Sequence, residues 1–290
     1  MEVRILKGDY MIKVLGLGDN VVDKYIHLKT MFPGGNALNF SVYAKENGAE
    51  SAYIGIFGDD EAAEHIIRVL KELKIDTSYC RKYHGENGYA RVNIVDGDRV
   101  FLKGNGGGIS KQKPIKLNQE DLKYINNFDL VHTSCYSFIE EELTKLKDLD
   151  VPISFDFSDK IEKDYLPKVC PYVDFSFMSC GNLTEGETKE KLKEVIDYGC
   201  SMALATRGIE GGILYDGIKF YHQPSKKIKA IDTLGAGDSF VTAFLLNLIK
   251  SEYKTNLNKE EVIEDSLKKG AEFAAESCLV QGAFGYGKKY

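Results

Sequence analysis

The sequence predicts an α/β protein whose parallel sheet is covered by helices on both faces and carries a small antiparallel sheet. The first observation is a rhythm. Short β-like runs alternate with helical patterns along most of the chain, and a parallel sheet with crossover helices satisfies that alternation. The second is where the rhythm breaks. Val21–Leu28 is a strand that follows the first strand with no helix between, and Tyr89–Val95 and Arg99–Lys103 alternate around Asp96-Gly97-Asp98, a hairpin signal. These two stretches predict one small antiparallel sheet projecting from the body. The third is glycine: 28 of 290 residues, with only 6 prolines and no Gly-X-Y period. Collagen and Pro/Gly-rich disorder are thereby excluded, and the glycines serve turns or close backbone approach.

In chain order, residues 1–10 form an appendage and Ile12–Leu17 is the first good strand. Gly35–Asn47 is helical and Ser51–Phe57 is a strand. Asp59–Leu73 is a helix with Ile66, Ile67, Leu70 and Leu73 on one face and Asp59 at its N-cap. Strands Leu130–Ser134, Ile153–Asp156, Val173–Met178 and Met202–Thr206 each follow a helical stretch. Arg207–His222 is a hairpin turning at Asp216-Gly217, and the rest is mostly helical, with Ala236–Ser251 and Lys259–Ser277. No repeat, low-complexity segment or linker divides the chain, so residues 1–290 form a single domain, with a sheet made from about residues 20–33 and 86–106 within it.

Composition narrows function. The formal charge is −6, from 38 basic and 44 acidic side chains, without a basic cluster, which argues against nucleic acid as a partner. Small anionic ligands stay open, because a local site can outweigh a modest global field. No stretch approaches the ~20 apolar residues of a membrane span, and the N-terminus lacks a signal-peptide pattern, so a cytoplasmic protein is expected. The six cysteines show no C-x-x-C spacing and are expected as core thiols, and five scattered histidines form no metal pattern. Without secretion, the sequons at Asn39 and Asn182 are chance.

Chemistry concentrates in Asp232-Thr233-Leu234-Gly235-Ala236-Gly237-Asp238-Ser239-Phe240. Small residues here precede an amphipathic helix. Backbone N–H groups of Gly235, Ala236 and Gly237, with the helix dipole, can make an anion site. Asp238 then sits beside the anion, an electrostatic cost unless it takes a proton there, as a hydroxyl attacking a phosphoryl group requires. The residues alone leave open a plain glycine-rich turn with a stabilising N-terminal Asp.

The order of residues 232–240 resembles the C-terminal signature of the PfkB, or ribokinase-like, family of sugar kinases. Phe32-Pro33-Gly34-Gly35-Asn36-Ala37-Leu38-Asn39-Phe40-Ser41 resembles its N-terminal signature, and the resemblance runs from Met11 to about Tyr286. Gly18-Asp19-Asn20, the run at Gly34–Asn39, Asp98-Arg99-Val100-Phe101 and Phe155-Asp156-Phe157-Ser158-Asp159-Lys160 look most like the branch of fructoselysine 6-kinases. The resemblance implies a ribokinase-like three-layer α/β/α sandwich with a small antiparallel β-sheet lid. It implies ATP-dependent phosphorylation of a primary hydroxyl, O6 of fructoselysine or a related ketosamine. Fructokinase, ribokinase, nucleoside kinase and an inactive sugar-binding relative are the alternatives.

On the same resemblance, Asp238 is the base, with Gly235, Ala236 and Gly237 around the transferring phosphoryl group. Asp19, Asn20, Asp23, Gly34, Gly35, Asn36 and Asn39 supply sugar contacts, and Tyr89 and Arg91, with Asn93, extend from the lid, although only one face of that strand points inward. Thr206, Gly208, Gly211, Glu185 and Gly282 flank the nucleotide, with Arg207 leaning to solvent. The family's N-x-x-E falls three residues late, at Asn182–Glu185, and Thr242 stands where the family favours a smaller residue. ATP and Mg²⁺, held through phosphates and water, are the implied cofactors, and Asp232 marks a monovalent-cation site for K⁺. The implied partner is a small sugar or sugar-amine, without nucleic acid or membrane. Lids of this family often pair in homodimers; Val92, Ile94, Val100 and Leu102 form such an apolar face or pack on their own subunit. Two look-alikes fail: Gly282–Lys289 spells most of a Walker A loop but lacks its Ser/Thr and its helix, and Gly16-Leu17-Gly18 lacks the third glycine of a dinucleotide fingerprint.

Overall fold

The computed structural model describes residues 11–95 and 98–290. The N-terminal half contains β1 (Lys13–Gly18), β2 (Val21–Tyr25), β3 (Thr30–Gly34), α1 (Asn36–Glu46), β4 (Glu50–Phe57), α2 (Glu61–Glu72), β5 (Arg81–Lys82), β6 (Tyr89–Val95) and β7 (Asp98–Leu102). The middle contains α3 (Ile109–Gln112), α4 (Gln119–Ile125), β8 (Leu130–Ser134), α5 (Leu143–Lys147), β9 (Ile153–Asp156), α6 (Leu166–Val169) and β10 (Phe175–Ser179). Then follow α7 (Glu185–Asp197), β11 (Met202–Thr206), β12 (Gly212–Tyr215), β13 (Phe220–Gln223), α8 (Ala236–Lys250), α9 (Lys259–Ser277) and β14 (Lys288–Lys289).

β1 buries Val14, Leu15 and Leu17 completely, the two-sided apolar run that a central parallel strand needs. It lies between β4 and β8 in a nine-stranded sheet of order β13-β12-β11-β10-β9-β8-β1-β4-β5. Strands β5 to β11 of that order run parallel, and the β11-β12-β13 meander is antiparallel. One face packs Leu17, Ile54, Phe155, Phe157 and Val195. The other packs Phe40 of α1 and Phe244, Leu245 and Leu267 of α8 and α9 against Phe177. Five cysteines are buried and Cys80 is half-buried, all as free thiols.

The second sheet has the order β14-β3-β2-β6-β7. Its hairpins are antiparallel, while β2 and β6, which join the two chain segments, run parallel. Several boundaries shift from expectation. The strand from Val21 ends at Tyr25 and Ile26–Leu28 forms a 3₁₀ turn, because Lys29 adopts φ 47 to close the corner into β3. The cap of α2 is Asp60, whose side chain accepts from Ala63 N at 3.0 Å; Asp59 instead accepts from His84 Nδ1 and Gly85 N. The Walker-like tail becomes β14, and Lys288 pairs with Glu61 at 2.7 Å. The appendage at residues 1–10 and the Asp96-Gly97 turn lie outside the described residues. Among the described residues, no helix is long and apolar enough to cross a membrane.

Candidate active site

The carboxyl ends of β1, β8 and β9 meet the N-termini of α1 and α8, the end of a parallel sheet where ligands bind. Gly35 turns the chain into α1 at φ 113, and a Cβ there would come within 2.9 Å of Asn20 Cα and of Asp19 O. Gly35 has no side chain with which to cap α1. Asp19 supplies the cap from β1: Oδ2 accepts from Asn36 N at 2.7 Å and Oδ1 from Ala37 N at 3.2 Å. Ser134 and Ser137 hydroxyls donate to the same Oδ1 at 2.8 and 3.0 Å. Four donors thus hold Asp19, and its visible work is to fix the start of α1.

That start presents two amides. Asn36 Nδ2 donates to Asp156 Oδ2 at 2.8 Å and to Asp238 Oδ1 at 3.0 Å. One turn later, Asn39 Nδ2 donates to Asp238 Oδ2 at 2.6 Å. Asp156 Oδ1 also accepts from Ser158 N at 2.6 Å. Asp238 lies in the first turn of α8, half-buried, with protein around its carboxylate and some surface still open. Burial first, then the charges of Asp156, Asp19 and Asp23, push its carboxyl well above the ordinary range, with the Asn39 hydrogen bond opposing. Burial likewise pushes Asp156 up to about 6, against the hydrogen bonds from Ser158 and Asn36.

The approach to α8 is shaped by glycine. Gly235 has φ 76, and a Cβ there would meet Tyr43 Oη at 2.4 Å. A Cβ at Gly237 would meet nothing within 4 Å, so this backbone faces open space. Of the three expected N–H donors, that of Ala236 is taken by Thr233 O at 3.3 Å. Asp232 is buried; its Oδ2 accepts from Tyr25 Oη at 2.6 Å and Gly282 N at 3.0 Å, and its Oδ1 from Leu234 N at 3.0 Å. Thr242 Oγ1 donates to Asp238 O at 2.6 Å, which gives that larger residue a use in the turn carrying Asp238.

Other expected residues fall in three places. Asn20 is buried; its amide donates to Tyr53 Oη and Ile56 O and its oxygen accepts from Asn87 Nδ2, so it braces the end of β1 rather than facing a cleft. Asp23 is buried on the β2 face shared with Tyr25, against Gly34, where a Cβ would lie 2.4 Å from Asp23 Oδ2. Tyr89 and Arg91 are a correction. The register pairs Asp23 with Ala90 and Tyr25 with Val92, so Tyr89 and Arg91 stand on the opposite face from Asp23. Lys24 Nζ lies 4.4 Å over the Tyr89 ring there.

Among the residues expected to flank a nucleotide, Thr206 ends β11, and Gly208 (φ 57) borders open space. Gly211 (φ 90) is required because a Cβ would strike Gln223 O at 2.0 Å. Glu185 is exposed at the start of α7 and bound to Lys189 at 2.6 Å. Arg207 corrects the solvent expectation: it is largely buried, donating to Leu183 O and pairing with Glu210. Gly282 (φ 71) lies against Phe32 and donates to Asp232.

The residue that motif reasoning left without a role is Asp156. Its signal was present: an acid ending a central parallel strand, inside the Asp156–Lys160 run.

Residues 8–285 match the model of the pfkB family carbohydrate kinases. Over 280 residues the chain is 46% identical to the fructosamine kinase FrlD of Bacillus subtilis (strain 168), covering 96% of this chain and 95% of that protein. It is 33% identical over 230 residues to the fructoselysine 6-kinase of Escherichia coli (strain K12), covering 79% and 86%. The fold superposes on Arabidopsis thaliana ribokinase complexed with ribose and ATP with a TM-score of 0.75, at 19% identity over 94% of each chain. The chain belongs to the pfkB family of carbohydrate kinases.

Proposed function

We propose that this sugar kinase transfers the γ-phosphoryl group of ATP to a primary hydroxyl, O6 of fructoselysine or a related ketosamine. One observation carries the chemistry: the Asp238 carboxylate, gripped by Asn36 and Asn39, at the N-terminus of α8 beside the open backbone of Gly237. The similarity to a fructosamine kinase and a fructoselysine 6-kinase supports the substrate class.

Asp238 accepts the hydroxyl proton as the oxygen bonds to phosphorus and ADP departs. Its raised basicity brings it toward working pH, where a general base is most effective. The N-termini of α1 and α8 converge here and favour the negative charge that accumulates. Gly235 and Gly237 let backbone approach the phosphoryl oxygens. Asp156, tied to the same Asn36 amide, positions that amide and supplies a further acceptor for a sugar hydroxyl. Thr206, Gly208, Gly211 and Gly282 line the nucleotide side, with Asp23, Gly34 and Gly35 on the sugar side.

Among the described residues, no three carboxylate, thiolate or imidazole side chains gather to ligate an ion. Mg²⁺ therefore fits as an ion carried by the phosphates and reaching protein through water, where it would neutralise phosphate charge. Asp232 is held in place by three protein donors, and no step above uses a K⁺ ion there. The chain acts as a single domain, with the small sheet as a lid that excludes water from the phosphoryl group, and the lid pairs in a homodimer.

The test is ADP release measured across fructoselysine, fructose, ribose and adenosine. Fructoselysine should give the highest kcat/KM, and a stronger response to any of the others overturns the assignment. Asp238→Asn should lose about 10²–10⁴-fold in kcat with an unchanged circular dichroism spectrum.

A further inference from the structure

Two loops leave the sheet beside Asp156. The one after β8 carries Tyr136 and Phe138; the one after β9 carries Ser158 and Lys160. Phe138 and Ser158 hold left-handed conformations, φ 54 and 52, which non-glycine residues rarely adopt. Lys160 Nζ lies 4.3 Å from the Tyr136 ring centroid and donates to Cys135 O at 3.2 Å. The ammonium thus meets a ring and a carbonyl; among the described residues, no carboxylate forms an ion pair with it. Tyr136 Oη donates to Ser158 Oγ at 3.2 Å, and the residue remains 37% exposed.

The pair adjoins the reacting site. Cys135 N donates to Asp156 O at 2.9 Å, and its neighbour Ser134 holds Asp19. On the other side lies the return from the lid, where a Cβ on Gly107 would come 2.8 Å from Phe138 Cε2. The reacting end contains Asp19, Asp23, Asp156 and Asp238, all of which repel an anionic substituent. A sugar bearing a carboxylate at its far end gains if that group lies over a cation instead.

We propose that Lys160, with the Tyr136 ring beside it, is the subsite for the carboxylate of an amino-acid substituent on the sugar. This rests on the ketosamine reading above. The ammonium takes the carboxylate, the exposed ring covers the carbon chain, and the lid return closes over both. A sugar with no such substituent leaves the subsite empty and gains nothing from it.

The test compares wild type with Lys160→Gln, which keeps a donor for Cys135 O but removes the charge. Two matched substrate pairs differ only in the carboxylate: fructoselysine against fructosyl-cadaverine, and fructosyl-glycine against fructosyl-methylamine. Wild type should favour the carboxylate member of at least one pair by about tenfold in kcat/KM, mainly through KM. Lys160→Gln should erase that preference and leave carboxylate-free substrates within about twofold, and Lys160→Arg should restore it. Equal kcat/KM within both pairs for wild type overturns the subsite, with no variant needed. So does a preference that survives Lys160→Gln, or equal loss on both members. A wild type that phosphorylates fructose but no ketosamine overturns the ketosamine reading, a result distinct from these.

Discussion

Asp19 and Asp238 stand at the N-termini of adjacent helices, and their surroundings give them opposite work. Asp19 is held by four donors, whereas Asp238 faces two amides and three other acids. The difference follows from Ser134 and Ser137, far along the chain, which sequence reading had no reason to bring to Asp19. Asp156 is shifted in the same direction as Asp238, first by burial and less by the charges of Asp19 and Asp159. Its carboxyl rises from 3.8 to about 6, so the folded state binds a proton that the unfolded state has released. The folded state's advantage is therefore present below pH 3.8 and lost as pH rises through about 6. Asp156→Asn removes that loss. Because Asn also disturbs the Asn36 contact, the expected gain above pH 7 is about 1–2 kcal/mol, or roughly 2–6 °C in Tm. Thermal melts at pH 4 and pH 8 check this, and a Tm difference that is the same at both contradicts it. The variant should also lose about tenfold or more in kcat/KM, since stability and function conflict where a carboxylate is held away from water. For Asp238 the upward shift has a kinetic sign: the acid limb of kcat/KM should lie above the ordinary carboxylate range, because protonation removes the base.

Elements were legible where a local pattern sets them. The alternating strands and helices follow from period and apolar run, and α9 spans Lys259–Ser277 as expected. What failed depended on neighbours. The parity of β6 is set by its parallel pairing with β2, so Tyr89 and Arg91 could not be assigned a face from their own strand. Asp156 reaches the site because only β8 lies between its strand, β9, and β1, an order no local pattern contains. The Asp59-Asp60 pair is one residue ambiguous as a cap, and the bond to Ala63 N decides it. The turn into α8 was legible, since its glycines lie in one motif, and it yields a clean separation of stability from function. Gly237→Ala introduces a Cβ into open space within a helix, where alanine is favoured by about 1 kcal/mol over glycine. The variant should therefore melt no lower than wild type. If phosphoryl oxygens approach this backbone, kcat/KM for ATP should fall by about tenfold or more. An equally active variant would move the anion away from Gly237. Gly235→Ala should instead lower both, because φ 76 and the contact with Tyr43 Oη exclude a side chain.

At the scale of the whole molecule, the lid is joined to the body at its base and open at its far edge. Tyr25 and Phe32 pack edge to face at 5.1 Å, Val92 completes their cluster, and Leu234 of the turn into α8 packs against it. The Tyr25–Asp232 hydrogen bond fastens the same cluster to that turn. In the proposed reading, movement of the small sheet is therefore coupled to the backbone of the Gly235–Gly237 turn. Val92 belongs to this base, on the face opposite Val100 and Leu102, which corrects its expected place on an outer apolar surface; the Ile94 side chain lies outside what is described. The far edge is β7, where Val100, Phe101 and Leu102 are 38%, 57% and 42% exposed. An apolar strand with one paired edge is an association surface unless something covers it. The proposed homodimer would cover it with the same strand of a second copy, and in such a two-fold interface each substitution acts twice. Burying an aromatic side chain contributes about 1.5–3 kcal/mol, so Phe101→Glu should weaken the dimer by about 3–6 kcal/mol, roughly 10²–10⁴-fold in Kd. Sedimentation velocity at micromolar protein should show a dimer for wild type and a monomer for Phe101→Glu. Because Phe101 pairs with Val92, the variant should also raise KM for the sugar while leaving Tm nearly unchanged. A wild type that sediments as a monomer across that range would show that the lid edge is not closed by its own copy.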